Sequence, residues 1–96
     1  FGGWGYALTK LGRATEAIEK YQMATKSRPN YYAGYSGWGY ALTKLGKFSE
    51  AIEKYKMAIK LNPNYAHAYS SWGDVLAKLG KHSEAIEKFE KTIKLD

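Results

Sequence analysis

The chain repeats itself with a period of 34 residues. Trp4, Trp38 and Trp72 are separated by this interval, and so are several glycines and leucines around them. Residues 4–30 and 38–64 are identical at 20 of 27 aligned positions. A period of about 20–50 residues is typical of solenoids, in which each unit packs only on its neighbours. The period therefore predicts a stack of similar units, and it disfavours a single buried active site.

Each unit contains two stripes of apolar residues at helical spacing. In the second unit they are Tyr35, Trp38, Leu42 and Leu45, then Ala51, Ile52, Tyr55, Ala58 and Ile59. Gly46 lies between the stripes, where a left-handed residue can end a helix, and Ser49 is predicted to cap the next helix. Pro63 then ends that helix. Each unit is therefore predicted to be a pair of antiparallel helices joined by a short loop.

These residues resemble the tetratricopeptide repeat. The family's Trp-x-x-Leu-Gly-x-x-Tyr stretch appears in the second unit as Tyr35-x-x-Trp38-Gly39-x-x-Leu42. The aromatic and aliphatic positions are therefore exchanged relative to the family. The later alanine, aromatic residue and closing proline of the pattern appear as Ala51, Tyr55 and Pro63. The resemblance implies an all-α fold, a right-handed superhelical solenoid of antiparallel helix pairs with the tryptophans in its core.

The family phase divides the chain into three units of one domain, at 1–31, 32–65 and 66–96. The first unit is expected to lack its opening residues, and the third to end without a capping helix. Units at the ends of repeat arrays are normally shielded, because each unit buries one face on its neighbour. We therefore expect Phe89, Ile93 and Leu95 to form an exposed end that can stack on another copy of the chain.

The resemblance also implies a binding surface, since the first helices of successive units line a concave groove in this family. The partner-binding residues expected from this phase are Tyr6, Thr9, Lys10, Ser36, Tyr40, Thr43, Lys44, Ser70, Asp74 and Lys78. Ala33, His67 and Ala77 fall on the same face. Helical spacing supports part of this set independently, because Tyr40, Thr43 and Lys44 stand at i, i+3 and i+4.

The charge pattern allows two interpretations. With 15 basic and 9 acidic residues, the chain has a formal net charge of +6. Lys10, Lys44 and Lys78 are expected to form a ladder along the groove that an acidic protein segment could occupy. Alternatively, the lysines belong to a solvated surface on which basic and acidic positions alternate. Glu50–Lys54 and Glu84–Lys88 are predicted i,i+4 pairs of that surface.

Some members of the family grip a C-terminal carboxylate with Lys, Asn and Arg side chains in the groove. Tyr6 and Tyr40 stand where Asn would be expected. A clamp for chaperone tails is therefore not predicted for this chain.

The sequence contains no sign of catalysis or of a cofactor. His67 and His82 lie on different elements, and no His, Asp or Glu residues have the spacing of metal ligands. Nucleophile motifs and phosphate-binding loops are also missing. The sequence therefore predicts a non-enzymatic scaffold, without cofactor or metal, that binds a protein or peptide partner, an acidic one in particular.

Two alternatives stay open. Helical-hairpin arrays can read RNA one base per unit, and the isoelectric point near 9.5 suits a phosphate partner. The alternation of basic and acidic positions and the family signature nevertheless disfavour nucleic acid. The other alternative is an architectural scaffold of stacked copies with no peptide ligand.

Hydropathy and composition bear on location. No apolar run approaches the roughly 18 residues of a membrane span, so no membrane insertion is predicted. The chain has no cysteine, which suits a cytoplasmic location.

Overall fold

The computed structural model describes residues 13–95, which fold into α-helices without a β-strand in that range. The helices are α1 (Ala14–Ser27), α2 (Tyr32–Lys44), α3 (Phe48–Leu61), α4 (Ala66–Lys78) and α5 (His82–Leu95). The start of α4 lies 34 residues after that of α2, and the starts of α1, α3 and α5 are spaced in the same way. The predicted all-α fold is therefore confirmed, and its helices repeat with the period of the sequence.

A glycine ends both α2 and α4, the first helices of the two pairs that the structure describes in full. Gly46 and Gly80 have φ values of 78° and 80°, in the left-handed region that residues with a Cβ atom avoid. The N–H of Gly46 donates to the carbonyl of Thr43 at 3.0 Å, and the N–H of Lys47 donates to that of Leu42 at 2.9 Å. These two bonds form a Schellman motif, which reverses the chain between α2 and α3.

The start of α3 differs from the prediction. The helix begins at Phe48, and Lys47 occupies the N-cap position without a side-chain hydrogen bond to the backbone. Ser49 is therefore already inside the helix and cannot cap it. Glu50 does lie in the first turn, where its carboxylate interacts favourably with the helix dipole.

Close helix packing requires glycine on α2 and α4. A Cβ atom on Gly39 would lie 2.9 Å from the Tyr55 ring and 3.1 Å from the Ala51 carbonyl oxygen. A Cβ atom on Gly73 would lie 2.7 Å from the Phe89 ring. All three distances are shorter than normal van der Waals contact, so α3 packs directly against the backbone of α2, and α5 against that of α4.

The core lies where α2, α3 and α4 meet. Its buried residues are Leu42, Ala51, Tyr55 and Val75, and Trp38 and Trp72 are half-buried against them. α3 packs on α2 within its own unit and on α4 of the next unit, while α5 packs on α4. Successive hairpins therefore stack in one direction and form the predicted solenoid. None of the helices between residues 13 and 95 is both long and apolar enough to span a bilayer.

Candidate functional site

A concave cleft of about 480 Å³ lies between α2 and α4, the first helices of two successive units. We call it the α2–α4 groove. Its lining residues are Tyr40, Thr43, Lys44, Tyr55, His67, Ser70, Ser71, Asp74, Val75, Ala77 and Lys78. The structure thus brings together Tyr40, Thr43, Lys44, Ser70, Asp74 and Lys78 from the predicted binding residues. Tyr6, Thr9 and Lys10 lie outside the described residues.

The groove continues toward the N-terminal ends of α2 and α4. A smaller concavity of about 320 Å³ is lined there by Ala33, Ser36, Gly37, Tyr40, Tyr65 and His67. Tyr40 contributes to both spaces, so the two adjoin. The ring of Tyr65 packs edge-on against Tyr32, with centroids 4.8 Å apart. One end of the groove is therefore aromatic and mostly uncharged, whereas the other end carries the charged side chains.

Ser36 differs from its predicted role. It is only 3% exposed, although Tyr40 one turn later is 43% exposed. α2 packs on α1 as well as on α3, and a serine side chain is too short to project from between them. Ser36 therefore contributes to the floor of the concavity and offers little surface to a partner.

Lys44 lies above an aromatic ring at the charged end of the groove. Its Nζ atom is 4.8 Å from the centroid of the Tyr40 ring, a cation–π distance. Lys44 and Lys78 also occupy the last turns of α2 and α4, where an ammonium group offsets the negative end of the helix dipole. Both lysines therefore stabilise their own helices, and they present positive charge in the cleft as well.

The floor of the groove contains a tyrosine from the core. Tyr55 is a buried residue of α3, and its hydroxyl forms side-chain hydrogen bonds with Thr43 and Ser71. Thr43 Oγ1 also donates its proton to the Gly39 carbonyl at 2.9 Å. The interactions of Tyr55 with Thr43 and Ser71 connect α2, α3 and α4 directly beneath the binding surface.

Burial raises the pKa of the Tyr55 phenol above its usual value of 10.0, and the hydrogen bonds with Thr43 and Ser71 oppose part of this shift. The charge of Asp74 acts in the same direction as burial. The sequence analysis assigned Tyr55 to the core alone. A comparison with Phe89, at the same phase of the next unit, could have indicated the second role, because Tyr55 has a hydroxyl group and Phe89 does not.

Asp74 interrupts the positive charge of the groove. It occupies the phase on α4 that Tyr40 occupies on α2, and it is exposed. Its carboxylate forms no ion pair with any residue in the range 13–95. The groove therefore presents two lysines and one unpaired carboxylate, which is a mixed surface rather than a uniformly basic one.

Trp38 and Trp72 lie outside the lining of the α2–α4 groove, and each is covered by a lysine. Lys54 Nζ is 3.8 Å from the ring of Trp38, and Lys88 Nζ is 4.0 Å from the ring of Trp72. These lysines were predicted to pair with the glutamates four residues earlier. That prediction is wrong, because the two ion pairs within the described part of the chain are Arg13–Glu16 at 3.0 Å and Glu53–Lys56 at 3.9 Å.

The outer face of α5 exposes two large apolar side chains. Ile86 and Ile93 are 56% and 75% exposed, whereas Ile52 and Ile59 at the same phase of α3 are half-buried. α4 packs on α3, and within residues 13–95 no further helix covers α5 in the same way. Ile86 was missed from the sequence, although it recurs 34 residues after Ile52.

Two of the residues predicted for the exposed end are partly covered. Phe89 is half-buried, because its ring packs against the backbone of Gly73 within its own unit. Leu95 is also half-buried. Of the predicted end residues, Ile93 is therefore the one that is largely exposed.

Stacked helical hairpins with a cleft between their first helices define a helical-repeat protein. Family models narrow the class further. The model described as "TPR repeat" matches residues 5–46 and 39–80, and the model described as "Tetratricopeptide repeat" matches residues 66–96. The chain therefore belongs to the tetratricopeptide repeat family.

Solved structures with the same architecture include peptide-binding domains. The first TPR of Spaghetti (RPAP3), bound to the HSP90 peptide SRMEEVD, has a TM-score of 0.85 and 29% identity over 98% of this chain and 75% of that one. The second TPR of the same protein, bound to the same peptide, has a TM-score of 0.83 and 28% identity over 98% and 87%.

A crystal structure of MamA has a TM-score of 0.83 and 27% identity over 88% of this chain. The match covers 50% of the MamA chain, so the present chain spans about half of its length. A comparison with curated protein sequences found no match.

Proposed function

We propose that the chain is a non-enzymatic interaction module that binds an extended segment of a partner protein in the α2–α4 groove. The observation that carries the proposal is the cleft itself. It combines the exposed ring of Tyr40 with the charged groups of Lys44, Asp74 and Lys78 and with the hydroxyls on its floor. Aromatic rings that also carry a polar group, together with a few fixed polar atoms, are effective surfaces for recognising a peptide.

An acidic character of the partner is supported by two facts. The chain has a formal net charge of +6, and both lysines of the described groove lie at its charged end. The two RPAP3 domains were solved with SRMEEVD, a peptide with three acidic residues. Tyr40 stands where a carboxylate clamp would have Asn. Binding is therefore proposed not to require a free C-terminal carboxylate, and the acidic segment can lie inside the partner chain or at its end.

The proposal involves no catalysis, metal or cofactor. Between residues 13 and 95 no cluster of at least three His, Cys, Asp or Glu side chains is placed to hold a metal ion. A cytoplasmic location stays a prediction of the sequence.

Binding of acidic peptides tests the proposal. The probes are SRMEEVD and a library of acidic peptides, and affinity is measured by isothermal titration calorimetry. The variant Lys44→Ala/Lys78→Ala is expected to lose at least about tenfold in affinity, because two charges facing the ligand are removed. Lys47→Ala/Lys81→Ala is the matched control, since these lysines are exposed, recur with the same period and lie outside the groove lining.

Three results would count against the proposal. Equal affinity of both double variants would mean that net charge acts without the groove. Absence of peptide binding by the wild type would remove the proposed function. Tighter binding of RNA oligonucleotides, with a steep loss of affinity as salt rises, would favour the nucleic-acid alternative.

A second proposed property is stacking of copies through α5. The exposed Ile86 and Ile93 correspond to Ile52 and Ile59, which are half-buried on α3 where α4 packs. The outer face of α5 thus has the pattern that accommodates the first helix of a following unit. We also propose that the chain is divided into units at 1–31, 32–65 and 66–96. The starts of α2 at Tyr32 and of α4 at Ala66 support this division.

A further inference from the structure

One face of α4 carries both signs of charge into the groove. His67, Ser70, Asp74 and Lys78 follow each other at intervals of three or four residues, so they lie on one stripe of the helix, with Ser71 beside Ser70. On α2 the corresponding stripe has Tyr40 in place of the carboxylate and Lys44 in place of Lys78. The two helices therefore present the same ammonium group at their ends but different groups one turn earlier.

Asp74 is available to a ligand. It is exposed, it forms no ion pair with a residue in the described range, and it shares the cleft with Lys44 and Lys78. A uniformly acidic segment that reaches both lysines would also place a carboxylate near Asp74. Like charges opposed in this way weaken binding and thereby select against that partner.

The spacing of the groove charges matches an extended peptide. Asp74 and Lys78 are four residues apart on α4, which is a rise of about 6 Å along the helix axis. In an extended segment, residues i and i+2 point to the same side and are separated by about 6.5 Å. A basic residue can therefore face Asp74 while an acidic residue two positions away faces Lys78.

We propose that Asp74 is a specificity-determining residue, which makes the groove prefer acidic segments with a basic residue two positions from an acidic one. The inference rests on the proposed function and specifies its ligand. Net charge alone makes the opposite prediction, because a protein of charge +6 should bind the most acidic peptide most tightly. The two explanations can therefore be separated by measuring which peptide binds more tightly, a purely acidic one or one that also has a basic residue.

The test compares two labelled heptapeptides in fluorescence anisotropy. One has glutamate at its second, fourth and sixth positions, and the other has lysine at the fourth position; the remaining positions are alanine or glycine. Wild type is expected to prefer the lysine peptide. In Asp74→Asn the affinity for the lysine peptide divided by that for the acidic peptide is expected to fall by about tenfold, mainly because the acidic peptide binds better.

Glu87→Gln is the matched control. It changes the net charge by the same amount, is exposed on α5, and lies outside the groove lining. Its affinity ratio should equal that of the wild type. Circular dichroism verifies that both variants fold, and 0.5 M salt should reduce the preference by screening the charges.

The outcomes separate the two hypotheses. If the wild type binds neither peptide, the proposed function fails, and the inference fails with it. If it binds the acidic peptide more tightly and Asp74→Asn keeps the same ratio, the groove binds acidic segments but Asp74 does not select among them. An equal change of the ratio in Asp74→Asn and Glu87→Gln would also overturn the inference.

Discussion

At the residue scale, the Tyr55 hydroxyl joins the core to the binding surface. Its ring fills the core against Gly39, while its oxygen lies on the groove floor between Thr43 and Ser71. A periodic pattern cannot reveal this double role, because periodicity reports which side of a helix is buried and not how far a side chain reaches. The same limit applies to Ser36, which lines the smaller concavity but is only 3% exposed.

We expect Tyr55→Phe to fold but to be less stable by about 1 kcal/mol, the usual net value of a lost hydrogen bond. Phe89 fills the equivalent position of the next unit, so phenylalanine fits this kind of site. Urea denaturation measures the difference, with Tyr32→Phe as a control at a partly exposed tyrosine. A loss no larger than in the control would mean that the buried hydroxyl contributes nothing to stability.

The raised pKa of Tyr55 adds a pH dependence. The unfolded phenol ionises near its usual value of 10.0, whereas the folded phenol stays protonated to higher pH because of burial. The stabilisation is therefore complete below pH 10 and decreases as the pH rises above it. Tyr55→Phe should lose less stability between pH 9 and pH 11 than the wild type does, as measured by urea denaturation at each pH.

At the element scale, the helix ends were predicted unequally well. Gly46 could be identified as the end of α2, because few residues other than glycine tolerate its φ of 78°. The start of α3 was predicted wrongly, because Lys47 occupies the N-cap position, although Ser49 has the stronger preference for it. The helix begins at Phe48, one residue before Ser49, and has no side-chain cap. Phe48 packs against the core.

Gly46 allows a test that separates backbone conformation from packing. A Cβ atom there would meet nothing within 4 Å, so only the left-handed conformation opposes a larger residue. We expect Gly46→Ala to lower the free energy of unfolding by about 1 kcal/mol and Gly46→Asn by clearly less, because Asn adopts this conformation more readily. Denaturant titration of the two variants provides the comparison. Equal losses would show that the left-handed conformation is not the cause.

At the scale of the whole molecule, the period predicts the stacking of hairpins and the recurrence of the groove lysines, and the resemblance to the tetratricopeptide repeat implies the face that forms the groove. The charge of the groove also depends on the positions where the units differ, such as Tyr40 and Asp74. Differences between nearly identical units are therefore the most informative positions for function. Residues that are the same in two units indicate what each surface packs against. On α5, for example, Ile86 and Ile93 repeat Ile52 and Ile59 of α3.

Because Ile86 and Ile93 are exposed, whereas Ile52 and Ile59 at the same phase of α3 are half-buried, we expect copies of the chain to associate through α5. Sedimentation velocity should show a larger average mass as concentration rises. Ile86→Glu/Ile93→Glu should remain monomeric, because burying two carboxylates at the contact is unfavourable. Met57→Glu, at an exposed apolar position of α3, is the control and should associate like the wild type.

The same measurement separates stacking from groove binding. If association uses α5 alone, a saturating acidic peptide should leave the sedimentation of the wild type unchanged, and the double glutamate variant should still bind the peptide. Suppression of association by the peptide would instead place a second copy in the α2–α4 groove. A wild type that stays monomeric at high concentration would contradict stacking while leaving the proposed peptide binding intact, because Ile86 and Ile93 do not line the groove.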